Sequence, residues 1–469
     1  MRKQGAQSFV VESAISLPDI VTDVDSLDGV NGGGGSAEAL AVSFFKVDLS
    51  NVEITSATDE DFLGQVIVVN YRKPGSSDFD VSYIFEAVLP PPSLRKSGDQ
   101  TRLLNNFVCS DGEFKRTVKG RDFAVKGVYY CQQNSLTHVC AHSCLRMVLN
   151  TVDGQSGLLT SASINNSLGI VPPLAGLRID QIEAIINSRA DRKAFVIDCS
   201  TIDSQMYVSA LAAIVESGFP ALLVFTTGDA GVEHVVTVFG HTRNTDQWHP
   251  QAIPAYAGPT SAPYYTGAAW ISHFLIHDDN FGPYYTLSNR ALDSNPSVQA
   301  HWIIAVMPTQ PTIPPHLAEV IGAYILSNNL SSWAPLAQGR WFDYITRSNW
   351  TYVLRTILVS KQAYLDHLKA AKAHDNSAAT TQDYSNFDSL PDQFWMVEFS
   401  LPSLFLGNRS KLGEVLIHSK GELGDNPLDL VIGARVPSFA ILFNPPHQFQ
   451  FGIASHIPMY ELRPHDHIW

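Results

Sequence analysis

Cys140 lies in the stretch QQNSLTHVCAHSCLRMVLN, residues 132–150, which places amide side chains and a thiol at the start of a short apolar helix. A helix N-terminus carries partial positive charge and unpaired N–H groups, and both favour the thiolate form of a cysteine placed there. Gln133 lies seven positions upstream (140 minus 133), close enough for its amide to donate to an oxyanion on an attacked carbonyl. These residue types indicate a nucleophilic cysteine with half of an oxyanion hole.

A cysteine nucleophile needs a base that takes its proton and a third group that orients this base, and such groups are usually distant in sequence. His234 begins the stretch HVVTVFG, whose alternating side chains are typical of a strand that would hold an imidazole rigidly. Further on, HFLIHDDNFG ends an apolar run with carboxylates, of which Asp278 is the first. The order of these residues predicts a triad of Cys140, His234 and Asp278. The alternatives for its third member are Asp246, Asp279 and Asn280.

The same stretches resemble a known family. A glutamine followed by a cysteine at a helix start, the run HVVTVFG and the run HDDNFG are similar to the motifs of papain-like cysteine peptidases, in particular the branch that includes the double-glycine leader peptidases of bacterial peptide exporters. The resemblance covers about residues 120–307. It implies an α+β fold in which a helix bundle carrying the cysteine packs on an antiparallel sheet carrying the histidine and the aspartate.

The resemblance also implies a role for each residue. Cys140 would be the nucleophile that forms an acyl-enzyme, His234 the general base and later acid, and Asp278 the residue that orients the imidazole. Gln133 would donate to the oxyanion together with the backbone N–H of Cys140. The alternatives to Gln133 are Gln132 and Asn134. The implied activity is that of a cysteine peptidase or isopeptidase that needs no cofactor and cleaves a peptide or protein, such as a leader-peptide-like or ubiquitin-like substrate.

Two other functions fit the same residues. An acyltransferase or transglutaminase-like enzyme would use the same triad and resolve the acyl-enzyme with an amine, and a catalytically inactive papain-like domain would act as a binding or scaffold protein. A metal site competes for the helix region, but structural zinc sites pair two near ligands with a second, distant pair, and only the first half is recognisable here. We therefore expect no metal. The crowded candidate ligands are Cys131, His138, Cys140, His142 and Cys144.

Composition limits the class of protein and its partners. The chain has 469 residues, 45% of them hydrophobic, and a net charge of −14, which argues against a nucleic-acid or anionic-membrane partner. No stretch reaches the roughly 18 to 20 apolar residues of a membrane helix, and the first residues lack the apolar core of a signal peptide. Five cysteines, an odd number, favour free thiols in a reducing cytoplasmic setting.

Length and pattern predict three domains. Residues 1–118 read mostly as strands and turns, residues 119–310 as the peptidase-like domain, and residues 311–469 as a mixed α/β accessory domain. The flanking domains would select the substrate or attach a protein partner.

Within the central segment, LRIDQIEAIINSR and SQMYVSALAAIVESG are expected to be helices and PALLVFTT a buried strand. In the last segment we expect a longer helix capped by Ser348, with an apolar face running from Trp350 to Leu368.

Overall fold

The computed structural model describes most of the chain. The described residues are 1, 4–91, 106–108, 110–153, 157–172, 176–228, 233–243, 253–254, 263–295, 298–330, 332, 351–370, 387–402, 404–405, 410–424, 426–436, 439–444, 447–452 and 460–461. They form helices and several separate sheets, so the predicted α+β class is confirmed.

The described elements are numbered in chain order. The helices are α1 Pro18–Val30, α2 Cys140–Asp153, α3 Ser161–Leu168, α4 Ile179–Asn187, α5 Ser204–Glu216, α6 Asn289–Ser294, α7 Pro315–Asn329 and α8 Lys361–Ala370. The strands are β1 Ser8–Ser13, β2 Ser36–Phe45, β3 Phe62–Arg72, β4 Val81–Leu89, β5 Asn106–Val108, β6 Gly112–Val118, β7 Arg121–Tyr130, β8 Lys193–Asp198, β9 Ala221–Thr227, β10 Glu233–Arg243, β11 Ile253–Pro254, β12 Pro263–Thr266, β13 Ile271–Asp278, β14 Gly282–Ser288, β15 Val298–Met307, β16 Val353–Ser360, β17 Gln393–Ser400, β18 Ser410–Lys411, β19 Gly413–His418, β20 Val431–Val436, β21 Phe439–Asn444, β22 His447–Gly452 and β23 Tyr460–Glu461.

The chain divides into two compact units, each built from several segments. The first unit comprises Met1–Ser200, Phe219–Thr242 and His273–Gln310, and the second comprises Thr201–Gly218, Arg243–Ser272 and Pro311–Trp469. This division groups residues differently from the three consecutive segments expected from the sequence. The expected boundary at residue 118 falls in the turn between β6 and β7, which pair antiparallel. The three-domain division stays a prediction.

Two sheets make up the framework of the first unit. One has the strand order β1-β2-β3-β4-β7-β6, and the other has the order β14-β13-β10-β9-β15-β8 with β5 added alongside β10. In the second sheet β10 pairs antiparallel with β9, and β15 pairs antiparallel with both β9 and β8. Strands β10 and β13 are neighbours, so their ends bring together residues that are far apart in the chain.

Helix α2 is buried on every side along most of its length. Ala141 through Thr151 are all buried, including the polar His142 and Arg146. The face expected to point inward is confirmed, because Ala141, Cys144, Leu145 and Val148 belong to one apolar cluster. Met147, on another side, packs in a separate cluster with residues of the first sheet. A helix buried all round is part of the core, so the position of its first residue is fixed by packing on several sides.

Arg146 shows how the first sheet supports this helix. Its guanidinium is buried and lies over the ring of Phe85 at 4.9 Å. It donates to the carbonyl of Phe85 at 3.0 Å and contacts the hydroxyl of Tyr129 at 3.2 Å. These contacts compensate the cost of burying a charge and tie α2 to strands β4 and β7.

The second unit contains an eight-stranded sheet in the order β11-β12-β16-β17-β19-β20-β21-β22. Buried ion pairs cross it: Arg355 lies 3.0 Å from Glu398 and also pairs with Glu216, while Lys411 lies 2.8 Å from Glu398. Each buried charge of this group therefore has an opposite charge beside it, as burial requires.

Two secondary-structure expectations are wrong. The long helix predicted toward Leu368 is a strand over Val353–Ser360, and helix α8 begins only at Lys361; Ser348 and Trp350 lie outside the described residues. In the N-terminal segment, Pro18–Val30 form helix α1, where strands and turns were expected. The helices and the strand expected in the central segment are confirmed as α4, α5 and β9.

Within the described part of the chain, no helix combines the length and the apolar character needed to cross a membrane.

Truncation of Leu149 tests the packing of α2. This side chain is fully buried in the cluster that α2 shares with the second sheet. We expect Leu149→Ala to lower the free energy of unfolding by about 2 to 5 kcal/mol, because it removes buried methyl groups and leaves a cavity. Urea denaturation followed by fluorescence measures the loss. Val171, which is 81% exposed, is the matched control, and Val171→Ala should stay within about 0.5 kcal/mol of the parent. Equal effects of the two substitutions would contradict the burial of α2.

Candidate functional site

The structure brings His234 and Asp278 together. His234 lies near the start of β10 and Asp278 ends β13, the neighbouring strand. Nε2 of His234 lies 3.1 Å from Oδ2 of Asp278, and both side chains are largely buried, with 15% and 6% of their surfaces exposed. A carboxylate acceptor fixes the orientation and tautomer of an imidazole, so Nε2 carries its proton toward Asp278. The other ring nitrogen, Nδ1, is then left for a different partner.

Cys140 supplies that second partner. It is the first residue of α2, it is half-buried, and its thiol interacts with the imidazole of His234 and raises the pKa of that ring. Since Nε2 is bonded to Asp278, Nδ1 is the ring nitrogen that is left for the thiol. The imidazole of His234 thus interacts with a thiol and a carboxylate that come from two other segments of the chain.

The electrostatics favour a charged imidazole. Burial lowers the pKa of His234, whereas hydrogen bonds with Asp278 and Cys140 raise it. The negative charges of Asp278 and Asp279 add to the rise, and the resulting pKa of His234 is about 10. For Asp278, burial raises the pKa, but the hydrogen bond from His234 and the backbone N–H groups of the following turn outweigh burial and lower it. The pair is thus an imidazolium beside a carboxylate at neutral pH.

The turn that follows Asp278 is held from two sides. Oδ1 of Asp278 accepts the backbone N–H groups of Asn280 at 2.8 Å and Phe281 at 3.1 Å, which closes the turn on the carboxylate itself. The hydroxyl of Tyr130 donates to the backbone carbonyl of Asp278 at 3.1 Å from the end of β7. Both sets of bonds leave Oδ2 of Asp278 directed at the imidazole.

Gln133 is the candidate amide that reaches this turn. Its Nε2 donates to Oδ1 of Asn280 at 2.9 Å, and an amide NH₂ group has a second N–H that remains for another acceptor. The two alternatives have other partners. The side chain of Gln132 accepts the backbone N–H of Ile84 at 2.9 Å, in an extension of strand pairing. Asn134 is buried and closes the loop before α2 by accepting the N–H of Thr137 at 2.9 Å.

The alternatives to Asp278 as third member occupy different places. Asp279 comes within 4.0 Å of Nε2 of His234, farther than Asp278, and its side chain is fully buried. The side chain of Asn280 is bonded to Gln133, as described above. Asp246 lies outside the described residues. Asp278 is therefore the described carboxylate with hydrogen-bond geometry to the ring.

The histidine residues around the start of α2 contact different partners, and the pKa values of two nearby cysteines are raised by burial. Nε2 of His138 contacts the carbonyl of Gln132 at 3.0 Å, and Nε2 of His142 contacts the side chain of Asn165 at 2.9 Å. Burial raises the pKa of Cys131 to about 11, and that of Cys144 is raised well above its ordinary value, also mainly by burial. Among the described residues, the group whose ligand atoms converge closely enough for a metal is His234, Asp278 and Asp279.

Sequence reasoning missed two supports of the site. Tyr130 holds the turn through its hydroxyl, and Asn280 links that turn to Gln133. Asn280 was considered only as a third triad member. Its position two residues after a carboxylate and before a glycine indicated a turn, but its partner lies 147 residues away and no local signal identifies it.

Comparison of the chain with protein-family models, curated proteins and solved structures finds no match. Any functional assignment therefore has to be argued from the geometry and chemistry of the site.

His234 should give the folded chain a pH-dependent stability. Its pKa is about 10 in the folded protein and 6.5 in an ordinary setting, so the native state holds this proton more tightly. The resulting stabilisation is fully present below pH 6.5 and is lost as the pH rises toward about 10. We expect the difference in free energy of unfolding between the parent and His234→Gln to shrink over this range in urea denaturation.

The control for this titration is His418, a histidine whose pKa is lowered in the folded protein. Burial lowers the pKa of His418, so His418 is neutral above pH 6.5 whether the chain is folded or unfolded. The difference between the parent and His418→Gln should therefore stay constant across the same range. A constant difference for His234→Gln as well would show that its proton is not held by the site.

Proposed function

We propose that the chain is a cysteine peptidase or isopeptidase that forms an acyl-enzyme on Cys140. The observation that carries the proposal is the imidazole of His234, which lies 3.1 Å from the carboxylate of Asp278 and whose pKa is raised by its interactions with Asp278 and Cys140. A thiol, a base and a group that orients the base are the parts that nucleophilic catalysis by cysteine requires. Their order on a helix start and two neighbouring strands supports a papain-like domain.

Acylation follows from these positions. The sulfur of Cys140, having given its proton to Nδ1 of His234, attacks the carbonyl carbon of the scissile bond. The oxyanion that forms would accept hydrogen bonds from the Gln133 amide and from the backbone N–H of Cys140, which belongs to the first helical turn where N–H groups lack an intrahelical acceptor. His234 then donates its Nδ1 proton to the leaving amine, the C–N bond breaks, and a thioester remains on Cys140.

Deacylation uses the same residues in reverse. Neutral His234 takes a proton from a water molecule, the resulting hydroxide attacks the thioester, and the sulfur leaves as a thiolate. Asp278 keeps its hydrogen bond to Nε2 throughout, so the ring does not turn away between the two steps. This route releases a carboxylic acid from a peptide or protein substrate and regenerates the starting pair.

The fold around the triad supports the same proposal. Helix α2 lies against the sheet that carries His234, as shown by the 3.2 Å contact between the sulfur of Cys144 and the carbonyl of Val235. In this sheet, β9 pairs antiparallel with both β10 and β15. A helix carrying the nucleophile, packed on a sheet carrying the base and its partner, is the arrangement that the resemblance implied.

Alkylation of Cys140 by iodoacetamide tests the thiol–imidazole pair without knowledge of the substrate. Cys140 should react at neutral pH faster than an ordinary cysteine, and His234→Ala should slow the reaction about tenfold or more, because the thiolate loses its cationic partner. Peptide mapping by mass spectrometry assigns the alkylated residue. Cys144→Ser is the control and should leave the rate unchanged, since that thiol is buried. Equal rates for the parent and His234→Ala would rule out an activated nucleophile.

The role of Gln133 can be separated from that of the thiol by comparing two reagents. Acylation by a p-nitrophenyl ester passes through an oxyanion, whereas alkylation by iodoacetamide does not. Gln133→Ala should slow acylation of Cys140 by about 10²-fold, the usual effect of removing one oxyanion donor, and leave alkylation nearly unchanged. Gln132→Ala is the neighbouring control, because its side chain is bonded to Ile84 and should not affect acylation. A parallel loss of both reactions in Gln133→Ala would indicate that the residue only supports the loop.

A further inference from the structure

Asp279 is buried without a hydrogen bond from the described residues to its carboxylate oxygens. Its side chain is fully buried, and neither carboxylate oxygen has a hydrogen-bond partner among the described residues. The neighbouring Asp278, by contrast, accepts bonds from His234, Asn280 and Phe281. The nearest opposite charge in the described part of the chain is the imidazolium of His234 at 4.0 Å, which is already hydrogen-bonded to Asp278. A buried carboxylate that accepts no hydrogen bond is costly, so Asp279 points to a group that completes its surroundings.

The side chain of Asp279 is directed at the imidazole of the triad. Its Oδ1 lies 4.0 Å from Nε2 of His234, and the Oδ2 of Asp278 lies 3.1 Å from the same nitrogen. One ligand atom from each of the three residues falls within 4.8 Å of the other two. Donor atoms that bind one ion at about 2.0 to 2.2 Å lie roughly 3 to 4 Å apart, so Asp279 would move inward when an ion binds.

The donor set defines the class of ion. One imidazole nitrogen with two carboxylate oxygens suits zinc and similar transition ions, which accept both nitrogen and oxygen ligands at about 2.0 to 2.2 Å. Calcium and magnesium prefer an all-oxygen set of more ligands, which these three residues do not offer. The two negative charges of Asp278 and Asp279 balance the charge of a divalent cation.

We propose that His234, Asp278 and Asp279 form a site for a zinc-class divalent cation, which reversibly silences the triad. Binding takes the Nε2 lone pair of His234, so the proton on that nitrogen passes to solvent and the hydrogen bond to Asp278 is replaced by ligation. A ligating imidazole is neutral, and it can no longer be the imidazolium that stabilises the thiolate of Cys140 and protonates a leaving amine. The silencing effect rests on the proposed peptidase function, whereas the cation site itself does not.

Zinc titration of the full chain, followed by isothermal titration calorimetry after treatment with a chelator, tests the site. We expect one zinc ion per chain to bind, and Asp279→Asn, which keeps the shape of the side chain but removes its charge, to weaken binding at least tenfold. Two controls should bind as the parent does: Cys140→Ser, and Asp180→Asn at an exposed carboxylate of α4 that pairs with Arg178. Thermal melting confirms that each variant is folded. Binding that survives Asp279→Asn, or that is lost in Cys140→Ser, would overturn the proposal.

Cobalt(II) gives a second measurement that needs no variant. Cobalt bound to imidazole and carboxylates shows ligand-field bands without the strong thiolate-to-cobalt absorption that a cysteine ligand produces. A thiolate band in the parent protein would place the ion on a cysteine and contradict the proposed ligands.

The alkylation rate of Cys140 separates this inference from the proposed function. Without zinc, rapid alkylation supports the activated thiol. With zinc, the rate should fall, and Asp279→Asn should need at least ten times more zinc for the same fall. Slow alkylation in the absence of zinc would count against the peptidase proposal alone. Rapid alkylation that zinc slows equally in the parent and in Asp279→Asn would count against the cation site alone.

Discussion

The hydrogen bond between Nε2 of His234 and Oδ2 of Asp278 is the interaction on which the site depends. It fixes the orientation of the ring, leaves Nδ1 free of Asp278, and raises the pKa of the imidazole. The carboxylate can do this because the turn after it, closed by N–H groups of Asn280 and Phe281, occupies its other oxygen. A single strand end therefore sets the orientation of the His234 ring and raises its pKa.

The packing of α2 supplies the other half of the arrangement. Leu145 and Leu149 bury one side of the helix against the sheet that carries His234, while Met147 and Arg146 bury another against the first sheet. Because the helix is held on both sides, its first residue, Cys140, can remain half-exposed without being free to move far from the imidazole. The β-rich N-terminal segment thus contributes directly to placing Cys140.

Local patterns predicted much of this part of the fold, and their limits are visible in particular residues. The alternation after His234 predicted β10, and the offsets of Ala141, Cys144, Leu145 and Val148 predicted the inward face of α2. The strand Val353–Ser360 was mistaken for a helix because both of its faces are buried, so apolar side chains occur at every spacing and periodicity cannot decide. Helix α1 was missed because its thirteen residues include four aspartates and because Leu17, the residue before it, provides no side-chain cap.

Long-range features could not be predicted from the sequence. That β13 lies beside β10 depends on the whole sheet, and so does the choice between Asp278 and Asp279, which differ in their distances to one ring nitrogen.

The ultraviolet thiolate absorbance of the parent protein minus that of Cys140→Ser, at neutral pH, tests the central claim most directly. A thiolate band that disappears in His234→Ala is expected if the imidazole holds the charge of the sulfur. A parent protein whose Cys140 shows only the neutral thiol at that pH would contradict the triad.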